Sequence, residues 1–471
     1  MLENIVFAFL IPLGLVCLVR PFLILYLFAT LMVVQFAPTA DFDNTPLLKI
    51  GSMNIFANDY LTIIMFLLLM TIVVKNLLYK RNLFHNLIDD QVNKLVFALF
   101  GWSIIIGFLS YSKGFALQNV LRHISSESLM FIAVLIPTIS EVDAKKERFF
   151  KYTIALGLLL VGFALWKYLI SHDIEITSSG TARTLLGNSV VIFMLPICYI
   201  LFYSRLFQQR KLPSCAIIAM LAIGITLAGH RSGLITLAFV ILLYFLANDF
   251  DLLKYLWVPT SCMAVLVLIV MIAPLLNLSP GQTILGDMVL RAGDTFNLDN
   301  KTTAERLSKW DYSLEIVKQR PLLGLGRFPV HTDSIADDSN LKLKSSFADF
   351  NKATHNMFAE QLANTGLVGV TVLGIFILLV LRQFSGLSLS NPRYAAFLKS
   401  YVLAFLVFCQ FNTSFSDPLG KIFLFTVLGF INAQKLKNPY TAGIGSMNRF
   451  SVAEILNVAH PEENSGIKKS V

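Results

Sequence analysis

Three short stretches of the chain hold residue types suited to transfer chemistry. They are Gly229-His230-Arg231-Ser232-Gly233 between two apolar runs, Arg306-Leu307-Ser308-Lys309-Trp310 in a polar stretch, and Ala353-Thr354-His355-Asn356 at the head of another apolar run. A planar guanidinium grips phosphate oxygens bidentately. An imidazole, with an unperturbed pKa of about 6.5, can take a proton from an alcohol near neutral pH. Two arginines and a histidine on one face could therefore stabilise a leaving phosphate while activating a hydroxyl. Each residue also has a plainer reading. Arg231 could be a turn residue snorkelling to lipid headgroups, His355 a capping or interfacial residue, and Arg306, Arg320 and Arg327 parts of a solvated basic face. An arginine at a helix junction in a membrane is nevertheless expensive unless it is paired or lines a wet cavity.

The elements that must position these residues follow from the apolar runs. The chain has 471 residues, 56% hydrophobic and 14% charged, against about a quarter charged in soluble domains. A soluble single-core protein is excluded. The net charge of +9 does not point to nucleic acid, because the basic residues sit in short clusters between apolar runs, as in polytopic membrane proteins. Predicted spans are Asn4 to Val19, Phe22 to Ala37, Asp59 to Tyr79, Leu95 to Ser110, Ile124 to Ser140, Tyr152 to Ile170, Thr184 to Tyr203, Ser214 to Gly229, Ser232 to Ala247, Tyr255 to Asn277, Met357 to Leu381, Tyr394 to Phe411 and Pro418 to Ala433. The first two are short and split by Arg20-Pro21, so the expectation is an all-α polytopic protein with about 12 or 13 transmembrane helices. The runs are too long and too rarely alternating for an outer-membrane barrel.

The clusters Lys80-Arg81 with Lys94, Lys145 to Lys151, Arg205 to Lys211, Lys254, Arg382 with Arg393, and Lys435 with Lys437 fall on one side, which the positive-inside rule makes cytoplasmic. The other side receives Pro38 to Asn58, Tyr111 to His123, Ser171 to Arg183, the turn at His230-Arg231 and a long loop, Leu278 to His355. Loops beyond about 15 residues are usually functional or disordered. This one carries a helical pattern over Thr303 to Val317, with Leu307, Trp310, Leu314 and Val317 at spacings of three and four, then the turn-forming Arg320-Pro321-Leu322-Leu323-Gly324-Leu325-Gly326. A partly helical external subdomain resting on the membrane fits it. Three regions are expected: N-terminal helices over 1–183, a catalytic membrane region over 184–434 that includes the loop 278–355, and a polar cytoplasmic tail over 435–471.

The first residues lack a basic region and a cleavage site, so no removable signal peptide is read. Cys17, Cys198, Cys215, Cys262 and Cys409 fall in or beside apolar runs, which suggests buried small hydrophobes rather than disulfides or metal ligands. The acidic residues Asp333 and Asp337-Asp338 lie in a polar stretch without histidine or carboxylate partners at helical spacing, so a solvated turn is expected there and no metal. No nucleotide-binding loop, dinucleotide fingerprint or nucleophile elbow is present. No cofactor is expected, and any chemistry must use an already energy-rich substrate.

The ordered set of motifs resembles the O-antigen ligase and polymerase superfamily of bacterial envelope glycosyltransferases. The resemblance rests on the Arg-Ser-Gly junction at Arg231, Arg-x-x-x-Trp at Arg306 and Trp310, Pro-x-x-Gly-x-Gly from Pro321, and His-Asn-x(9)-Gly-x-x-Gly from His355, with Gly187-Asn188 leading into a helix that contains Pro196. It covers roughly Gly187 to Gly369. Two departures stand out. Members often carry glutamate just before the first glycine where this chain has Asn364, leaving Glu360 as the only stand-in, and the paired Arg-x(10)-Gly elements of some polymerases are missing.

The resemblance implies a GT-C-like membrane fold and metal-independent glycosyl transfer at the periplasmic face of the inner membrane. The implied donor is a glycan on undecaprenyl diphosphate. The implied acceptor is another lipid-linked repeat unit in a polymerase of O-antigen or exopolysaccharide, or lipid A core (or a protein hydroxyl) in a ligase. Arg231 and Arg306 would stabilise the diphosphate and His355 would act as base, with Asn356, Arg327, Arg320 and Trp310 as further substrate contacts. Membrane lipids and other glycan-assembly proteins are the implied partners, and nucleic acid is not. A flippase or other transporter stays open as a rival, although it should show repeat symmetry and ionisable residues at midspan.

Overall fold

The computed structural model describes, in the main, residues 91–112, 143–171, 175–176, 182–185, 189–204, 209–228, 231–247, 301–325, 356–411 and 418–437, with two short strands and scattered helical positions between 12 and 74 and further positions between 120 and 137. Among them the long elements are all helical: α1 (Gln91–Ser112), α2 (Asp143–Trp166, continued by a π-helical turn, Lys167–Ser171), α3 (Val190–Phe202), α4 (Lys211–Leu227), α5 (Arg231–Ala247), α6 (Lys301–Gln319), α7 (Met357–Ser390), α8 (Pro392–Cys409) and α9 (Pro418–Lys437). Two antiparallel hairpins interrupt the all-α expectation without altering its class. They pair β1 (Leu48–Ile50) with β2 (Met53–Ile55) and β3 (Glu175–Ile176) with β4 (Ala182–Arg183).

Among the described residues, three stretches are long and apolar enough to cross a membrane, at 146–170, 357–384 and 392–409, and shorter apolar helices occupy 96–111, 190–202, 211–227, 232–247 and 422–433. The predicted spans between Leu95 and Ala433 that fall on described residues match these helices closely. One reading needs correction. Arg382 does not lie in a loop with Arg393, because α7 runs on through Ser390 and only Asn391 separates it from α8. Asn391 caps α8 by accepting the Tyr394 N–H at 3.1 Å, with Pro392 at the first helical position. A proline there is pre-set for a helix and loses no intrahelical bond. The predicted span Tyr255 to Asn277 and the tail beyond Lys437 lie outside the described residues.

At the centre is α3, buried at every position and packed against α2, α4, α5, α8 and α9. A helix apolar on all sides has to be surrounded in this way. Its neighbours fix which ends meet. Phe150 near the start of α2 packs against Tyr199 near the end of α3 (5.2 Å between ring centroids), Phe397 near the start of α8 (4.9 Å) and Phe430 near the end of α9 (5.2 Å). Phe202 meets Tyr244, late in α5, at 5.6 Å. Asn432 Nδ2 donates to Asn93 Oδ1 at 2.7 Å, adding the start of α1, and the Lys146 ammonium lies 4.4 Å above the Tyr394 ring. Lys94, Lys146, Arg148, Lys151, Arg210, Lys211 and Arg393 thus gather at one end of the bundle, as the clustering of charge in the sequence requires.

The opposite end is fixed as firmly. The Thr184 N–H and hydroxyl both donate to the Leu227 carbonyl, at 3.2 and 3.3 Å, tying the chain ahead of α3 to the end of α4. A Cβ on Gly233 would stand 2.8 Å from Ile225 and 2.9 Å from Val190, so α5 begins against the end of α4 and the start of α3. Asn356 Nδ2 donates to the Gln410 carbonyl at 3.2 Å, which sets the start of α7 beside the end of α8.

A candidate active site at the end opposite the lysines

The ends of α4 and α8 and the starts of α3, α5 and α7 converge at that second end, and two of the three candidate motifs belong to those starts. Arg231 is the first residue of α5, and His355 immediately precedes Asn356. Arg306 stands in the second turn of α6. The main chain of both arginines is described, whereas His355, His230 and Arg327 lie outside the described residues.

What joins α6 to α7 is an exchange of main-chain hydrogen bonds. Helix α7 is broken at Gly366 (φ 64°, ψ −161°). The break frees the N–H groups of Leu367 and Val368 from their intrahelical acceptors, and these donate to Pro321 O at 2.8 Å and Leu322 O at 3.2 Å. Ala363 O, which Leu367 N–H would otherwise reach, accepts Leu325 N–H at 2.9 Å. The turn itself is closed by Arg320 N–H on Ile316 O (2.8 Å) and Gly324 N–H on Arg320 O (3.0 Å). Both glycines at this junction are obligatory. Gly324 (φ 56°) and Gly366 occupy the left-handed region, and a Cβ on either would run into the other segment, against the Ala363 carbonyl for Gly324 and the Leu322 carbonyl for Gly366. The two glycine motifs of the sequence are therefore halves of one joint.

The joint determines which faces meet. Ile316, Tyr312, Leu325 and Ala363 form a small apolar cluster, and the same face of α6 buries Lys309 (5% exposed) and Ser313. Ser313 is satisfied internally, its hydroxyl donating to Lys309 O at 3.1 Å. Leu307, Trp310 and Leu314, the stripe that announced the helix in the sequence, are instead exposed, together with Leu322 and Leu323 of the turn. On α7, Glu360 is buried one turn ahead of Ala363 and so shares its face. Arg306 stands one turn before Lys309, in the register that leads to the buried face. The sequence reading passed over Lys309, whose signal was its three-residue spacing from Arg306, and named Glu360 only as a stand-in for the missing acid.

Asn356, expected as a substrate contact, is engaged with the protein. Its Oδ1 accepts Ala359 N–H at 2.9 Å, capping α7, while Nδ2 reaches Gln410 O and, at 3.4 Å, Gln410 Oε1. An N-cap of this kind holds the first turn of a helix. Trp310 is partly exposed, on the side of α6 away from α7, and Arg320 is half-buried at the joint.

The family model described as O-antigen ligase matches residues 215–374, a stretch that takes in most of α4, all of α5 and α6, the joint and the first half of α7. No curated protein matches the chain. Arg231, Arg306, His355 and both glycine motifs lie inside the matched stretch, which is about a third of the chain, and over it the sequence is similar to the O-antigen ligase family.

Proposed function

We propose that the protein transfers a glycan from undecaprenyl diphosphate to a sugar hydroxyl at the periplasmic face of the bacterial inner membrane, extending lipid-linked repeat units into O-antigen or exopolysaccharide. The observation that carries this reading is the family match over 215–374, which encloses the helix starts and the docked α6 at one end of the bundle. The level of the membrane supports it. Ahead of Gly366, α7 is polar at Glu360, Gln361, Asn364 and Thr365, whereas from Leu367 to Leu381 Thr371 is the only polar side chain. The 18 residues 367–384 would cover about 27 Å at 1.5 Å per residue, the thickness of the hydrocarbon. The joint, α6 and the first turns of α7 then lie at headgroup level, where a lipid diphosphate carries its charge.

In this mechanism the acceptor hydroxyl attacks the anomeric carbon of the donor glycan and its proton passes to His355. The bond from that carbon to the diphosphate oxygen breaks, and the electron pair leaves with the diphosphate. Arg231 and Arg306 hold the growing negative charge, an effect whose loss commonly costs about a hundred- to a thousandfold in rate. Arg231→Ala and Arg306→Ala should lose transfer while inserting normally, and His355→Ala should lose transfer with donor binding largely kept. Near-normal glycan ladders from His355→Ala at wild-type abundance would overturn the assignment.

A ligase is the second reading, favoured by the description of the matching family. Purified protein given only lipid-linked repeat units separates the two, since a polymerase builds a ladder from them alone and a ligase requires the second acceptor.

A further inference from the structure

Lys167 is a buried cation that neither the motifs nor the mechanism above uses. It is only 3% exposed, although it follows an apolar run and stands beside Trp166, Leu169 and Ile170, which are all exposed. It falls three and seven residues after Ala164 and Leu160, both fully buried, and so continues the stripe of α2 that faces the other helices. A lysine at the rim of a membrane helix ordinarily runs its stem outward and leaves its ammonium among the headgroups. This one is held inside the protein. Helix α2 also changes to a π-helical turn at this residue, Lys167–Ser171. Such turns depart from regular α-helical hydrogen bonding and are frequent at functional sites.

The packing of α2 on α4 gives its level. A Cβ on Gly157 would stand 2.8 Å from Leu221, and one on Gly224 would stand 2.7 Å from Val161. Positions 157 and 161 of α2 therefore pair with 221 and 224 of α4, and the two helices run in the same direction. Six residues beyond Val161, about 9 Å at 1.5 Å per residue, is Lys167, whereas α4 ends at Leu227, only three residues beyond Gly224. Lys167 thus stands past the end of α4, at the end of the bundle where α3, α5 and α7 begin. A buried ionisable residue within a membrane bundle faces a partner or a wet cavity. Lys167 interacts with the protein itself, and an ammonium has three N–H donors, enough to serve a ligand oxygen as well.

We propose that Lys167 is a ligand-binding residue of the same site, supplying a point charge to the diphosphate of the lipid-linked donor from the α2 side, at the end of the bundle where α5 begins. This rests on the donor reading given above. It explains why a cation is buried in a stretch that otherwise reads as an apolar span, and why the helix departs from α geometry at that residue.

The test is binding of undecaprenyl diphosphate to purified full-length protein in nanodiscs, for wild type, Lys167→Gln, Lys167→Arg and Arg231→Ala. A hydrogen bond to a charged group is worth about 1.5–3 kcal/mol, so Lys167→Gln should weaken binding by about 10- to 100-fold. Lys167→Arg should recover most of the loss, and undecaprenol, which has no phosphate, should not distinguish the variants. Should Lys167→Gln fail to fold, Lys167→Arg decides instead by binding within about threefold of wild type, and a larger loss would overturn the proposal. Wild-type affinity in a folded Lys167→Gln, with Arg231→Ala weakened, overturns the assignment of Lys167 and leaves the donor reading standing. Wild-type affinity in both variants overturns the donor reading itself.

Discussion

Around α3 the residues removed from solvent are apolar at position after position, from Val190 to Phe202. Where α6 meets α7 they include Lys309, Ser313, Glu360 and Thr365, while Leu307, Leu314 and Leu322 lie exposed. The first region is held by side-chain packing, with rings such as Phe150 and Phe397 interlocked at 4.9 Å. The second is held by three main-chain hydrogen bonds across a helix break and a small cluster of apolar side chains. Burying polar groups contributes little to stability unless each is satisfied. The difference therefore separates a region held by apolar packing from one held by main-chain hydrogen bonds around buried polar side chains, and the two should respond differently to substitution.

The largest effect is expected at the joint. Gly366→Val forces a β-branched residue into a left-handed conformation and drives its side chain at the Leu322 carbonyl. The turn must detach, and α6 with it. Misplacing catalytic groups by about 1 Å can cost about a hundredfold in rate, so transfer per folded molecule should fall at least that far, while the melting transition of the bundle stays near that of wild type. Gly324→Val should behave in the same way. A Gly366→Val protein with wild-type transfer would show that the joint positions nothing.

Phe150→Ala gives the converse. Truncating a buried phenylalanine typically costs about 3–5 kcal/mol, and Phe150 is fully buried among rings of α3, α8 and α9. The expected outcome is a lowered melting temperature and abundance, with the rate per folded molecule preserved. A selective loss of rate at unchanged stability would erase the distinction between the two regions. Between these extremes lies Asn356→Ala. Losing an N-cap costs about 0.5–2 kcal/mol, small against the bundle, yet the frayed turn is the one that His355 precedes. Transfer should drop about tenfold with stability nearly unchanged, and Gln410→Ala, which leaves the Asn356 bond to the Gln410 carbonyl and removes the 3.4 Å side-chain contact and the Gln410 Nε2 donation to Leu406 O at 3.1 Å, should cost less.

How far the sequence foretold this division depends on whether a feature is local. The helix starts at Met357 and Pro418 coincide with the predicted ones, and α6 extends the predicted Thr303 to Val317 to Lys301–Gln319, because apolar periodicity and capping residues are properties of a short window. The joint was not foreseeable. Gly366 and Gly324 are 42 residues apart, and the Gly-x-x-Gly spacing of Gly366 and Gly369 does not say that the first of them breaks its helix. Nor does a stripe at spacings of three and four say which side of it is covered. On α6 the covered side is the one with Lys309. Lys167 stayed hidden because a single lysine in an apolar run reads as a rim residue until its burial is known.

The smallest effects should come from the outer surface of α6, where the comparison can be made finest. At about 100° per residue, Trp310, Leu314 and Leu307 fall in one sector about 60° wide, and Lys318, Asp311 and Glu315 fall in the next. The buried side, with Ile316 and Lys309, lies opposite. The helix thus has one side covered by α7 and two exposed sectors, one apolar and one charged. Lys318 pairs with Glu315 at 3.3 Å in the charged sector, its side chain 73% exposed. Exposed pairs are worth about 0–1 kcal/mol and are screened by salt, so Lys318→Ala should leave melting and transfer within error of wild type. Leu314→Glu adds a charge only about 40° away around the same helix. If the leucine sector rests against lipid, that substitution should reduce transfer several-fold in nanodiscs, and a spin label at position 314 should be relaxed by oxygen where one at position 318 is relaxed by a water-soluble nickel chelate. Equal accessibility of both labels to the chelate would show that the whole outer surface of α6 faces water, and the exposed leucines would then need another explanation than the bilayer.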